Sequence, residues 1–199
     1  MSFVKKPLIL ASGSLRRKAL LEQLEVSFVV RLSDAPENVL ATESPDENVV
    51  RIARDKVIAA VQRQDSNLFV LAADTIVVLD QLYLGKPVDK QDAVAMLKKL
   101  SGRTHRVYTG LSIYDVDSKE SISDYEVTEV TFRSLSDAEI ADYVSTGAPM
   151  DKAGAYGIQG DISATFASRI NGCFYNVVGL PISKLYTMMQ TFQQQLELK

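Results

Sequence analysis

The sequence predicts an α/β protein. Strand and helix signals alternate early in the chain, strands dominate its middle, and two capping boxes mark the starts of helices. A chain of 199 residues with 46% hydrophobic and 24% charged residues can bury a substantial core. Its length suits one globular domain or two small lobes.

The first predicted strand and helix lie close to the N-terminus. Residues 7–11 are apolar and predict a strand, and Ser14 is placed to cap a helix. The apolar face of that helix comprises Leu20, Leu21 and Leu24. A second strand is predicted at 26–32.

The next helix has a strong start signal. Ser44, Pro45 and Glu47 supply an N-cap, a first-turn proline and a capping-box acid, which predict a helix running to about Gln64. A long β-rich run follows at 68–80 and predicts a strand.

The middle of the chain predicts one helix and a long hairpin. Asp89 starts the helix, and Ser101 and Gly102 stop it. Segments 103–116 and 121–133 flank a short polar stretch and predict two antiparallel strands.

The last part of the chain predicts two helices and a second hairpin. A capping box at Ser136 starts the first helix. Asn171-Gly172 is a type I′ turn signal, which predicts a hairpin joining 164–170 to 173–178. Pro181 begins the C-terminal helix.

The overall charge narrows the function classes. With a net charge of −3 and a pI near 5.3, the surface as a whole does not suit polyanions, which argues against a general nucleic-acid binder. No stretch approaches the roughly 18 apolar residues of a membrane span, so no membrane association and a cytoplasmic location are expected. The single cysteine, Cys173, fits a reducing compartment.

Several catalytic motifs are absent from the sequence. It contains no P-loop, no GxGxxG, no HExxH and no GxSxG, and its one histidine is His105. Hydrolysis by a Ser-His-Asp triad is therefore improbable. Any metal would be held by oxygen ligands, which points to Mg²⁺ or Mn²⁺.

Three cations stand at the start of the first predicted helix. The macrodipole favours acids at a helix N-terminus, yet Arg16, Arg17 and Lys18 lie there. A bound polyanion would remove this conflict.

Asp74 is the most informative single residue. It lies inside the apolar run 68–80, where an isolated carboxylate is costly unless a cation or hydrogen-bond donors meet it. The alternative is a strand-end aspartate that faces solvent or caps a turn. Functional groups also occupy the ends of buried strands in α/β sheets.

Two lysines offer partners for such a carboxylate. Lys56 falls on the apolar face of its helix, either with a functional partner or with its head snorkelling to water. Lys86 follows a hairpin that comes after Asp74, where most lysines are only solvated. Convergence of these lysines and the two arginines with Asp34, Glu37 and Asp74 would suit metal-assisted cleavage of a phosphoanhydride.

The glycine-rich segment 151–160 is either a simple turn or a ligand-binding loop. Its glycines permit close backbone approach, and the amide of Gln159 can pair with a nucleobase edge.

Six motifs in register resemble the Maf family, the septum-formation-inhibitor-like nucleoside triphosphate pyrophosphatases. They are LASGSLRRKALLEQL, RIARDK, AADTIVVLD with LGKP behind it, SGRTHRVYTG, DKAGAYGIQG and NVVGLP. The resemblance spans nearly the whole chain and implies a single domain over residues 1–199. The Ala-Asp-Thr and Gly-Ala-Tyr-Gly-Ile-Gln-Gly forms resemble the branch that acts on dTTP and UTP.

The resemblance also implies a fold and an activity. The fold is an elongated mixed α/β sheet with flanking helices and two lobes around a cleft, similar to the inosine triphosphate pyrophosphatases and paired as a homodimer. The implied activity is hydrolysis of dTTP and UTP, or of modified pyrimidine nucleotides, to the monophosphate and diphosphate. The alternative is a non-catalytic nucleotide-binding regulator of cell division.

Residue roles follow from the same resemblance. Asp74 matches the catalytic acid that accepts a proton, and with Glu37 it would hold a divalent cation, Mg²⁺ or Mn²⁺. The substrate-specificity positions are Arg16, Thr75 and Gln159. The phosphate-binding positions are Ser12, Arg17, Lys56 and Lys86.

The sequence departs from the usual family form in two places. Leu15 replaces a common proline in the first helical turn, which is a mild change because proline there only preorganises φ. After Gly160, DISATFASRI replaces a glycine-rich stretch, so the loop beside Gln159 is the part expected to differ.

Overall fold

A mixed sheet of seven strands organises the computed structural model, which describes residues 3–198. The strands are β1 (Leu8–Leu10), β2 (Phe28–Val30), β3 (Phe69–Leu79), β4 (Leu82–Leu84), β5 (Thr104–Asp115), β6 (Glu120–Phe132) and β7 (Ala167–Asn171). Their order is β2-β1-β3-β5-β6-β7, and β4 pairs with β3. The predicted α/β class is confirmed.

Six α-helices accompany the sheet in the described residues. They are α1 (Leu15–Gln23), α2 (Pro45–Ala60), α3 (Lys90–Leu100), α4 (Asp137–Ser145), α5 (Phe174–Val178) and α6 (Ile182–Glu197). The predicted N-caps are confirmed at Ser14, Ser44, Asp89 and Ser136, and both capping boxes are complete. Within the described chain, no helix combines the length and apolarity that a membrane crossing requires.

Strand direction changes across the sheet. β1 is parallel to both β2 and β3, whereas β4 folds back antiparallel on β3 as the predicted short hairpin. β5 and β6 are neighbours joined by a four-residue turn at 116–119, which is too short for a parallel crossover. The long hairpin predicted for this part of the chain is therefore confirmed.

The predicted end of α2 at Gln64 is wrong. The helix stops at Ala60, and Val61 is already extended with φ −72° and ψ 135°. The following turn is stabilised by Asp65, whose carboxylate accepts from the backbone N–H of Gln62 and pairs with Arg31. This local hydrogen bonding ends the helix earlier than the apolar periodicity indicates.

The second predicted hairpin is also wrong. Asn171 ends β7, but it lacks the positive φ that a type I′ turn requires, and residues 174–178 form α5 instead of a strand. Gly172 has another reason to be glycine, because a Cβ there would lie 2.9 Å from Thr128 Oγ1. The buried Asn176 then fixes the helix by donating to Val107 O and Thr128 Oγ1.

The described residues form two compact units, each with its own core. The first contains the chain up to Asp74, Thr109–Glu126 and the residues from Gly179 onward; the second contains Thr75–Tyr108 and Val127–Val178. In the first, Ile9, Val57 and Val70 pack together among small alanines. In the second, aromatic rings and leucines pack between β3, β5, β6, α3 and α4.

His105 is buried in the aromatic part of the second core. Its Nε2 lies 2.7 Å from Tyr156 Oη, and its ring meets those of Phe132 and Tyr156 edge on. Burial lowers the pKa of His105 to about 4, so the ring is neutral in the folded protein near pH 7. The only histidine is thus part of the core.

The titration of His105 makes stability depend on pH. The unfolded chain binds a proton at this residue near pH 6.5 and the folded chain only near 4. The contribution of His105 to stability is therefore fully present above pH 6.5 and is lost as the pH drops between these values. Urea unfolding at pH 8 and pH 5 should differ by about 2 kcal/mol more in the wild type than in His105→Gln. Equal pH dependence in the two proteins would contradict the assignment.

Candidate functional site

Asp74 is a buried carboxylate within a buried strand. Every residue of β3 is buried except Thr75, and Asp74 itself is only 7% exposed. The alternative of a solvent-facing strand-end aspartate is therefore wrong. A carboxylate placed there needs a cationic partner.

Lys56 is that partner. It lies on the buried face of α2, and its Nζ is 2.7 Å from Asp74 Oδ1 and 2.7 Å from Glu37 Oε1. The side chain is only 7% exposed, so its ammonium does not snorkel to water. Lys56, Asp74 and Glu37 are called the carboxylate–lysine cluster below.

A close approach of α2 to β5 sets the position of Lys56. Gly110 in β5 faces the backbone of α2 so closely that a Cβ there would lie 2.3 Å from Val49 O. Because real Cβ atoms do not approach this closely, only glycine allows α2 to pack at this depth. Lys56 lies two turns further along the same helix.

The segment that carries Glu37 is irregular and is fastened to α2. Asn48 is fully buried; its side chain accepts from Leu40 N at 2.7 Å and donates to Leu40 O at 3.0 Å. Arg51 donates to Asn38 O at 2.9 Å. These bonds hold the backbone next to Glu37. Sequence reasoning missed Asn48 and Arg51 because neither residue forms a motif by itself.

Arg17 joins the same region from α1. Its Nη1 donates to Ser12 Oγ at 3.1 Å and its Nε donates to Gly179 O at 2.8 Å. Burial lowers the pKa of Arg17, while Asp74 and Glu37 oppose the shift by favouring the charged form. The guanidinium therefore belongs to the electrostatic environment of the carboxylate–lysine cluster.

Gly179 is a second residue that sequence reasoning missed. It lies in the NVVGLP motif with φ 117°, in the region that favours glycine, and its carbonyl accepts from Arg17. In the sequence, its position just before Leu180-Pro181 marks Gly179 as the end of a segment. Only the structure shows that its carbonyl contacts Arg17.

The structure thus brings together Ser12, Arg17, Glu37, Lys56 and Asp74 within the first unit. Arg16 is half-buried and close enough to disfavour the charge on Arg17. Asp34 is exposed and makes no contact with the cluster in the described chain.

The remaining predicted site residues belong to the second unit. Thr75 directly follows Asp74 and is half-buried, Lys86 is exposed after β4, and Gln159 is half-buried after the mostly buried stretch 154–158. Gly154 has φ 69°, and its backbone packs against Val77. The assigned roles of these three residues stay predictions.

The donor set of the cluster suits a hard divalent cation held jointly with a ligand. Asp74 and Glu37 offer carboxylate oxygens, and no group of three or more His, Cys, Asp or Glu residues gathers anywhere in the described part of the chain. Mg²⁺ is commonly bound in this way, by one or two carboxylates together with substrate phosphates.

Comparison with known proteins identifies the family. Residues 7–192 match the Maf-like protein family. The dTTP/UTP pyrophosphatase of Syntrophomonas wolfei is 48% identical over 180 residues, covering 90% of this chain and 94% of that protein. The dTTP/UTP pyrophosphatase of Photorhabdus laumondii is 46% identical over 187 residues, 94% of each chain. The chain therefore belongs to the Maf family.

Solved structures with a similar fold include the Ham1 protein of Staphylococcus aureus. It aligns with a TM-score of 0.45 and 17% identity, covering 64% of this chain and 72% of that one.

The buried ion pair predicts non-additive stability effects. Lys56→Gln leaves Asp74 without its cation, and Asp74→Asn leaves the ammonium with only Glu37 of the two carboxylates, so each should cost on the order of 3 kcal/mol of unfolding free energy. The double variant removes both charges and should lose at least about 1 kcal/mol less than the sum. Urea denaturation measures all four proteins, and additivity within about 0.5 kcal/mol would show that the pair is not coupled.

Proposed function

We propose that this protein hydrolyses dTTP and UTP to the nucleoside monophosphate and diphosphate. The relatives named dTTP/UTP pyrophosphatase support this substrate class, because they are 43–48% identical over most of the chain. The observation that carries the reaction type is the buried Asp74 beside Lys56, Glu37 and Arg17.

Phosphate binding is assigned to the cations of the first unit. The positive end of the α1 dipole lies close to Ser12, and Arg16, Arg17 and Lys56 add positive charge. Ser12 and Gly179 hold the guanidinium of Arg17 from two sides. A polyphosphate at this place would also explain why cations occupy the first turn of a helix.

Asp74 is assigned the role of proton acceptor. A water molecule attacks the α-phosphorus, a P–O bond forms, and the bond between that phosphorus and the bridging oxygen breaks. Asp74 takes the proton of the water, and diphosphate leaves with the bond electrons. Every residue of the strand that contains Asp74 is buried except Thr75, which supports a fixed orientation of the carboxylate.

A divalent cation fits the two acids of the cluster. Asp74 and Glu37 would hold Mg²⁺ or Mn²⁺, whose positive charge would offset the charge that develops on the leaving diphosphate.

Substrate discrimination is assigned to Thr75, Gln159 and Arg16, with Lys86 as a further phosphate contact. These roles rest on the family resemblance. Uracil and thymine share the O4 and N3 edge that a threonine hydroxyl and a glutamine amide can pair with. The methyl group of thymine adds about 1 kcal/mol in an apolar pocket, so acceptance of both bases is physically reasonable. Modified pyrimidine triphosphates fit the same description.

The alternative function is a regulator that binds a nucleotide without turnover and acts in cell division. The contact between Lys56 and Asp74 favours this alternative, because in such a regulator Asp74 would serve only as the counter-charge of a buried lysine. The two functions differ in what loss of the Asp74 charge does.

Asp74→Asn separates the two functions. If Asp74 is the proton acceptor, the rate of diphosphate release from dTTP should fall by about 10²–10⁴-fold while binding of a non-hydrolysable dUTP analogue persists. With wild-type enzyme in ¹⁸O-water, the label should enter the monophosphate. Weaker nucleotide binding with residual turnover would favour the counter-charge function, and release of orthophosphate alone would exclude attack at the α-phosphorus.

A homodimer in the cytoplasm is part of the same proposal. Its support is the family resemblance. Light scattering on the purified chain should give about twice the mass of 21.9 kDa, and a monomer at micromolar concentration would contradict the proposal.

A further inference from the structure

We propose that Lys56 excludes a free divalent cation from the carboxylate–lysine cluster, so that the metal enters only together with the polyphosphate. The inference rests on the proposed function and concerns how the two ligands of that reaction are admitted. Its basis is the position of one ammonium group between two acids.

The contacts of Lys56 place it in competition with a metal. Its Nζ is 2.7 Å from Asp74 Oδ1 and 2.7 Å from Glu37 Oε1. A cation that takes oxygens of both carboxylates must displace these two charge-assisted bonds. Losing both bonds is costly for the ammonium, because Lys56 is buried on the face of α2 that also carries Ile52, Ala53 and Val57.

The charge of the surroundings adds to this barrier. Arg16, Arg17 and Lys56 carry three positive charges and Asp74 and Glu37 two negative ones, so the group as a whole is positive. A divalent cation entering alone would raise that charge further, next to a lysine and an aspartate that are nearly shielded from solvent, while the side chain of Glu37 is 49% exposed. A metal–triphosphate complex is still an anion, and it would lower the charge.

The triphosphate supplies hydrogen-bond acceptors that allow the ammonium of Lys56 to leave the two carboxylates. Phosphate oxygens offer the ammonium new acceptors, which frees the oxygens of Asp74 and Glu37 for the cation. Each ligand therefore removes an obstacle to the other, and the coupling is reciprocal. The consequence for the reaction is that the metal arrives with the phosphates it activates.

The first test measures binding of Mn²⁺ alone, by the loss of the free-ion signal in electron paramagnetic resonance. Lys56→Gln should bind Mn²⁺ at least about tenfold more tightly than the wild type. Lys99→Gln is the matched control, because it removes the same charge from an exposed position on α3 and should bind like the wild type. Equal or weaker Mn²⁺ binding by Lys56→Gln would overturn the inference.

The second test begins with the wild-type protein, and this wild-type measurement does not depend on how well the variant folds. The affinity for a non-hydrolysable dUTP analogue should rise at least about tenfold when Mn²⁺ replaces EDTA. The rise should be smaller in Lys56→Gln, by the factor gained for Mn²⁺ alone. A wild-type affinity that is insensitive to Mn²⁺ would overturn the inference.

Diphosphate release by the same wild-type preparation distinguishes a failure of the role of Lys56 from a failure of the proposed function. Turnover of dTTP combined with equal Mn²⁺ binding by the wild type and Lys56→Gln overturns only the role of Lys56. A lack of turnover overturns the proposed function, whatever the Mn²⁺ measurements give.

Discussion

One ammonium group shared by two carboxylates is the interaction on which the site depends. Lys56 is buried between Asp74 and Glu37, where desolvation consumes much of the attraction. Replacing a buried ion pair such as Lys56–Asp74 by apolar residues of similar volume is often neutral or stabilising. The charges are therefore better explained by chemistry than by stability. The close approach at Gly110 positions Lys56, and the hydrogen bond to the carbonyl of Gly179 positions Arg17.

Asp74 and Lys56 could be predicted as site residues from the sequence, because each is a charged residue in an otherwise apolar pattern. Asp74 interrupts an apolar strand and Lys56 interrupts an apolar helix face, so each signals a missing partner. The N-caps of α1, α2, α3 and α4 were equally predictable, since a capping side chain bonds to backbone only three residues away. Both the N-caps and the two charged site residues are recognisable from residues close by in the sequence.

The supports of the site could not be predicted, because they depend on contacts distant in the chain. The carbonyl of Gly179 meets Arg17 across 162 positions, and no short pattern announces such a bond. The error at Asn171-Gly172 has the same origin. The Asn-Gly pair predicts a hairpin, whereas Gly172 allows the close approach of Thr128 and the residues after it form a helix.

Gly110 sets the distance between α2 and β5. Any side chain at position 110 would push α2 away from β5. Lys56 would then move with the helix while Asp74 stayed on β3, and the contact between the two side chains would be lost. Glu37 lies on an irregular segment that Asn48 and Arg51 fasten to α2 by hydrogen bonds, so it would move with the helix. A substitution at Gly110 would therefore carry Lys56 and Glu37 together away from Asp74, so the geometry of the cluster depends on the absence of a single side chain.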